Sequence, residues 1–116
     1  EDHKIDLKLA ADRVRLSGHL VLDSTSAEEA IESLERNHPD VVLLDLSLPG
    51  MDGLSFVRRL KQDPQTRALP IVAITAFPDS YRRQEMLDAG CAAYLVKPVD
   101  MAELLRQIEG AVRRSD

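Results

Sequence analysis

Apolar and polar positions along the chain predict strands and helices in alternation. Runs of consecutive apolar residues predict strands buried on both faces, and apolar residues spaced three or four positions apart predict amphipathic helices. The predicted strands are 20–24, 41–45, 70–75 and 92–96, and the predicted helices are 5–17, 26–37, 54–62, 80–89 and 100–114. This order predicts an α/β fold with a parallel sheet that helices cover on both faces.

Several helix ends carry their own sequence signals. Ser26 with Glu29, and Asp100 with Glu103, have the spacing of capping boxes at the start of two predicted helices. Gly90 follows the helix before the last strand, where glycine commonly terminates a helix. These signals support the boundaries that the apolar pattern suggests.

Composition narrows the class of protein. The chain has 116 residues, 44% of them apolar and 30% charged, which suits one globular domain. A net charge of −5 argues against a broad nucleic-acid surface. The single cysteine, Cys91, fits a small buried residue in a reducing compartment. With no apolar stretch of ~18 residues and no signal-peptide pattern, we expect a cytoplasmic domain without membrane contact.

Three polar residues stand at the ends of predicted strands. Asp45 and Thr75 are the last residues of their strands, and Lys97 follows the final one. Ligands of parallel α/β sheets lie outside the carboxyl ends of the strands, so all three should share one rim. A carboxylate, a hydroxyl and a cation together suit capture of a phosphoryl group on Asp45, with Lys97 offsetting its charge and Thr75 donating a hydrogen bond.

Phosphoryl transfer also requires a metal ion, and the chain opens with two acids. Taken alone, Asp45 would be a helix cap or a turn former, and Glu1–Asp2 would be a solvated chain end. Placed on one rim, these three carboxylates would repel each other, and a divalent cation would relieve the repulsion. Mg²⁺, which prefers oxygen ligands, is therefore the expected cofactor.

Four segments follow each other in a characteristic order: ED at 1–2, PDVVLLDLSLPGMDG at 39–53, PIVAITA at 70–76 and AGCAAYLVKPVD at 89–100. In this order they resemble the receiver domain of two-component response regulators, including its single-domain chemotaxis type. The resemblance covers essentially the whole chain and makes 1–116 one receiver domain. It implies a flavodoxin-like, doubly wound parallel sheet with strand order 2-1-3-4-5. Stand-alone receivers and those within hybrid kinases fit the sequence equally well.

The resemblance also implies a role for individual residues. Asp45 matches the phosphoacceptor, Lys97 the phosphate-binding lysine, and Thr75 with Tyr94 the pair of switch residues. The implied magnesium ligands are Glu1, Asp2, Asp45 and the backbone carbonyl of Ser47. The phosphoryl group would come from a histidine kinase or a histidine phosphotransfer protein.

The implied output surface is formed by residues 80–114. It would bind a downstream protein partner or a second copy of the chain, without direct nucleic-acid contact. On it, Arg82 and Arg83 are expected to be solvated. The resemblance implies that the domain acts as a phosphoacceptor with at most slow self-dephosphorylation, so we do not expect it to be an enzyme.

One departure from the family pattern concerns the first strand. Receivers have an apolar strand just before the acidic pair, and this chain starts at the pair. In the family order that strand lies between the strands at 20–24 and 41–45. We therefore expect a gap, or an intruding segment, at that place in the sheet.

Three other functions fit the sequence less well. A haloacid-dehalogenase-type phosphatase would have a second acid where Ser47 stands, and a dinucleotide-binding domain would have a G-x-G-x-x-G motif, which is missing. A degenerate receiver, acting as an unphosphorylated interaction scaffold, is the main alternative. The presence of all the chemical positions argues against it.

Overall fold

The computed structural model describes residues 21–23, 27–37, 39–46, 53–75, 83–97 and 100–115. Strands and helices alternate throughout this part of the chain, which confirms the predicted α/β class. The strands are β1 (Val21–Asp23), β2 (Val41–Asp45), β3 (Ile71–Thr75) and β4 (Ala93–Val96), and the helices are α1 (Ala27–Asn37), α2 (Gly53–Gln62), α3 (Arg83–Ala89) and α4 (Met101–Ser115). Each strand lies within one residue of its predicted bounds. The helix predicted at 5–17 lies outside the described residues.

The four strands form one parallel sheet in the order β1-β2-β3-β4. Val21 pairs with Val41, and Asp23 pairs with Leu43, so β1 and β2 are direct neighbours. The prediction of a gap or an intruding segment between them is wrong for the described residues. Unpaired N–H and C=O groups in a core are costly, and direct pairing of β1 with β2 satisfies them.

Helices α1, α2 and α3 cover one face of the sheet. Their buried side chains, which include Leu34, Phe56 and Met86, pack on the strand residues that point to that side. In α2 the buried positions recur with helical spacing, whereas Arg58 and Arg59 are exposed. Burial of each large apolar side chain contributes roughly 1.5–3 kcal/mol, so this face is a substantial core.

Helix α4 covers the opposite face. Its residues Leu104 and Ile108 are fully buried against Val41, Val72 and Ile74 of the central strands. Successive side chains of a strand point to opposite faces, so a single strand serves both cores. The five residues of β3 are all buried, as expected for a central strand of a doubly covered sheet.

Helix α4 begins with half of the predicted capping box. Asp100 Oδ1 accepts a 2.8 Å hydrogen bond from the backbone N–H of Glu103, which satisfies an N–H group that the first turn leaves free. The Glu103 carboxylate accepts instead from Gln107 Nε2 at 2.9 Å and from Arg106. These two hydrogen bonds, with the positive charge of Arg106, lower the pKa of Glu103 below its usual value.

Helix α3 ends at Gly90, as predicted. Gly90 has a φ of +124°, its N–H donates to the Leu87 carbonyl at 3.1 Å, and the Cys91 N–H donates to the Met86 carbonyl at 3.1 Å. This pair of bonds is the Schellman motif, which lets the chain leave the helix without orphaned carbonyls. Cys91 is a buried free thiol beside Met86, which confirms its predicted role as a small core residue.

Lys61, near the end of α2, connects the loop at 63–69 to the end of α3 at Gly90. Its Nζ donates to the carbonyls of Arg67 at 3.0 Å and Leu69 at 2.8 Å, and its aliphatic stem lies beside Gly90. Partial burial lowers the pKa of this ammonium group, with a smaller opposing effect from Cys91. One side chain therefore fixes the 63–69 loop relative to the end of α3.

Candidate functional site

The register of the sheet brings the carboxyl ends of β2, β3 and β4 together. Asp45 pairs with Ile74, and Thr75 pairs with Val96, so the strand ends step by one residue across the sheet. Two backbone bonds fix the chain at this edge, from Leu46 N–H to the Ile74 carbonyl at 2.7 Å and from Lys97 N–H to the Thr75 carbonyl at 2.8 Å. The backbones of Asp45, Thr75 and Lys97 therefore lie on one rim, as the sequence predicted.

Thr75 is a polar residue held inside the sheet at this rim. Its side chain is fully buried, and its hydroxyl is satisfied, since no described buried side-chain N or O atom lacks a hydrogen-bond partner. A buried hydroxyl would be costly without such a partner. Thr75 thus ends β3 with a buried hydroxyl that has a hydrogen-bond partner.

Lys97 follows β4 directly and is half-buried. Its backbone is attached to Thr75 by the bond described above, so Lys97 lies beside the end of β3. A lysine can keep its stem against apolar surface while its ammonium group remains at the edge. This placement suits a cation that meets an anionic group on the rim.

Tyr94 lies inside the core rather than on the surface. Its side chain is 2% exposed and packs in the cluster that contains Phe56 and Met86. Burial raises the pKa of its phenol, and the positive charge of Arg83 opposes this with a smaller effect. A movement of β4 would therefore shift the Tyr94 ring against the helices that pack on it.

Arg83 makes a contact that the sequence did not predict. Its side chain is exposed, as expected, but its Nη1 also donates a 3.1 Å hydrogen bond to the Tyr94 carbonyl. In the sequence, Arg83 is one of two adjacent arginines on the helix predicted after Thr75, which does not by itself indicate a backbone partner.

The predicted magnesium ligands fall almost entirely outside the described part of the chain. Glu1, Asp2 and Ser47 are not described, and for Asp45 only the backbone is. Among the described residues, no group of three or more His, Cys, Asp or Glu side chains could hold a metal ion. Carboxylates and a backbone carbonyl are nonetheless the oxygen donors that Mg²⁺ prefers, so the predicted set fits the ion chemically.

Comparison with known proteins identifies the family. The family model of the response regulator receiver domain, which describes the sequences of that family, matches residues 1–109. The chain belongs to the response regulator receiver family. The polar-differentiation response regulator DivK of Brucella ovis is 32% identical to this receiver domain over 109 residues, covering 94% of this chain and 89% of DivK.

Solved structures agree with this assignment. A putative response regulator from Chloroflexus aurantiacus is 34% identical, with a TM-score of 0.77 over 93% of this receiver domain and 86% of that chain. The receiver domain of the sensor histidine kinase PA1611 from Pseudomonas aeruginosa, whose structure has magnesium coordinated in the active site cleft, is 31% identical with a TM-score of 0.73. The match covers 93% of this chain and 88% of the PA1611 receiver chain. These likenesses confirm the flavodoxin-like fold.

The four described helices of the receiver domain are 7 to 15 residues long. Within the ranges that the structure describes, none is both long enough and apolar enough to cross a bilayer.

Proposed function

We propose that this receiver domain accepts a phosphoryl group on Asp45 from a histidine kinase or a histidine phosphotransfer protein. The observation that carries the proposal is the register that places Asp45, Thr75 and Lys97 at adjacent strand ends. A nucleophilic carboxylate, a hydroxyl donor and a cation are the groups that such a transfer needs.

The transfer is a substitution at phosphorus. A carboxylate oxygen of Asp45 forms the new P–O bond while the P–N bond of the donor phosphohistidine breaks. The electron pair of that bond returns to the imidazole nitrogen, which then takes up a proton. Lys97 offsets charge on the phosphoryl oxygens, and the Thr75 hydroxyl donates a hydrogen bond to one of them.

Magnesium is part of the proposal, with Glu1, Asp2, Asp45 and the Ser47 carbonyl as its ligands. When bound, it would neutralise negative charge on the phosphoryl oxygens. The magnesium in the cleft of the PA1611 receiver supports this choice of ion. We further propose that the domain hydrolyses its own phosphoryl group slowly at most, since Ser47 stands where a second catalytic acid would be needed.

The output of the proposed switch is a change in the surface formed by residues 80–114. A phosphoryl group adds about two negative charges and strong acceptor oxygens at Asp45. Thr75 would respond first, and Tyr94 would transmit the change through β4 to a protein partner or a second copy of the chain. The domain would work in the cytoplasm, and the buried free thiol of Cys91 fits such a reducing compartment.

Phosphorylation with a small-molecule phosphodonor and Mg²⁺ tests the proposal. We expect one phosphoryl group per chain, stable in acid and labile in base, by intact-protein mass spectrometry. Asp45→Asn should abolish it. Asp40→Asn is the matched control, because it removes the same charge from an exposed position at the opposite end of β2. Labelling that persists in Asp45→Asn would refute the assignment, and no labelling of the parent chain would favour an unphosphorylated scaffold.

A further inference from the structure

Arg83, the first residue of α3, connects that helix to β4. Its guanidinium Nη1 donates to the Tyr94 carbonyl oxygen at 3.1 Å, across eleven residues of sequence. The rest of the side chain is exposed. The bond therefore depends on how α3 lies against the sheet.

β4 has a particular need for such a partner. In the described sheet it pairs with β3 alone, and an edge strand leaves its outward backbone groups without a strand partner. Arg83 supplies a charged donor to one of them, and hydrogen bonds from ionised donors are stronger than neutral ones. On the other side, the Lys97 N–H is bonded to the Thr75 carbonyl. β4 is thus held between the rim and α3.

The Tyr94 side chain depends on this arrangement. Its ring is buried in the cluster that includes Met86 of α3, and the charge of Arg83 acts on its phenol. Holding the Tyr94 backbone against α3 keeps the ring among these neighbours. If the bond from Arg83 were lost, β4 could move away from α3 and the ring could leave the core.

We propose that Arg83 is a positioning residue of the switch, which clamps β4 to α3 and thereby favours the buried position of Tyr94. This inference rests on the proposed function, and it adds that phosphorylation of Asp45, by drawing the Thr75 hydroxyl toward the phosphoryl group, favours the same buried position of the ring. Arg83 then raises the fraction of molecules ready to accept the phosphoryl group. Apparent affinity falls in proportion to the competent fraction, so loss of Arg83 weakens the response.

Amide hydrogen exchange on the full chain tests the clamp without any phosphodonor. In Arg83→Ala we expect the amides of 93–97 to exchange about tenfold faster, equivalent to about 1.4 kcal/mol of local stability. The Val42 amide, bonded to the Pro70 carbonyl at 2.9 Å, should be unaffected. Unchanged exchange in 93–97, or an equal acceleration at Val42, would overturn the clamp.

Arg58→Ala is the matched control for charge. Arg58 is exposed on α2, and the bond to the Tyr94 carbonyl comes from Arg83, so loss of Arg58 removes the same charge without removing that bond. Exchange in 93–97 should remain at the parent rate in this variant. An acceleration equal to that of Arg83→Ala would show that net charge, rather than the clamp, is responsible.

Tyrosine fluorescence measures the effect on the switch. The chain has two tyrosines and no tryptophan, so a Tyr81→Phe background leaves Tyr94 as its sole fluorophore. In this background Arg83→Ala should increase iodide quenching. The variant should also need about ten times more beryllofluoride, a phosphoryl mimic, to reach a half-maximal change in Tyr94 fluorescence in the presence of Mg²⁺. A response at the parent concentration would refute the role of Arg83 in switching.

The two proposals can fail separately. A parent chain that neither takes a phosphoryl group on Asp45 nor responds to beryllofluoride would reject the proposed function. The exchange experiment still decides whether Arg83 holds β4, because it needs no phosphoryl group.

Discussion

Replacement of Gly90 by alanine tests the helix ending that positions α3. A φ of +124° is strained for any residue with a Cβ, at a cost of roughly 1–3 kcal/mol. The added Cβ would also lie 2.7 Å from Lys61 Cγ and 2.9 Å from Lys61 Cε. The Lys61 stem cannot move away freely, because its ammonium group is bonded to two loop carbonyls.

The contributions can be combined into an expected stability change. Displacing the Lys61 stem weakens a charged hydrogen bond, at about 1.5–3 kcal/mol. Alanine also restricts the unfolded chain more than glycine does, which raises the free energy of unfolding by about 0.4–1 kcal/mol and offsets part of this loss. Gly90→Ala should therefore lower the free energy of unfolding by roughly 1.5–5.5 kcal/mol, a large share of the ~5–15 kcal/mol typical of a domain.

Urea denaturation followed by circular dichroism at 222 nm measures this change. Gly110→Ala is the control, because Gly110 lies within α4, where alanine should stabilise the helix by about 0.5–1 kcal/mol. In a Lys61→Ala background the steric part disappears and Gly90→Ala should cost only the backbone strain. A loss below about 0.5 kcal/mol in the parent, or an identical loss in both backgrounds, would refute this reasoning.

Two further predictions concern the buried core. Leu104→Ala, which removes a fully buried side chain from α4, should destabilise the domain by about 2–5 kcal/mol in urea, whereas Leu105→Ala at the half-buried neighbouring position should cost clearly less; equal losses would contradict the assignment of the buried face. Burial raises the pKa of the Cys91 thiol to about 12, so the folded state favours the neutral thiol. Stability from this group is complete below the unfolded-state pKa near 9 and declines as the pH rises toward 12. In Cys91→Ala the free energy of unfolding, measured in urea at several pH values between about 9 and 12, should fall less steeply with pH than in the parent. An unchanged pH dependence would exclude Cys91 as a contributor.

Local sequence patterns were sufficient for most elements of the fold. The apolar run at 41–44 and the alternation of strands and helices define a doubly covered parallel sheet, because few other arrangements bury such strands. Gly90 and Asp100 mark helix ends through backbone chemistry that operates within a few residues. The common rim of Asp45, Thr75 and Lys97 followed from the geometry of parallel strands.

Features that depend on distant parts of the chain could not be predicted in this way. The pairing of β1 with β2 depends on which backbone groups meet in the folded sheet, and the family pattern suggested a gap there. The bond from Arg83 to the Tyr94 carbonyl requires α3 and β4 to lie side by side. The contacts of Lys61 with the loop and with Gly90 have the same origin, since no local pattern brings positions 61 and 90 together.

The alternation of side chains along β3 has a consequence for protein engineering. Ile71 and Ala73 belong to the core beneath α1–α3, whereas Val72 and Ile74 belong to the core beneath α4. Substitutions in residues that share no contacts usually have additive effects on stability. The two cores can therefore be redesigned as nearly separate problems, and the α4 core can be optimised while the side that carries Tyr94 keeps its native packing.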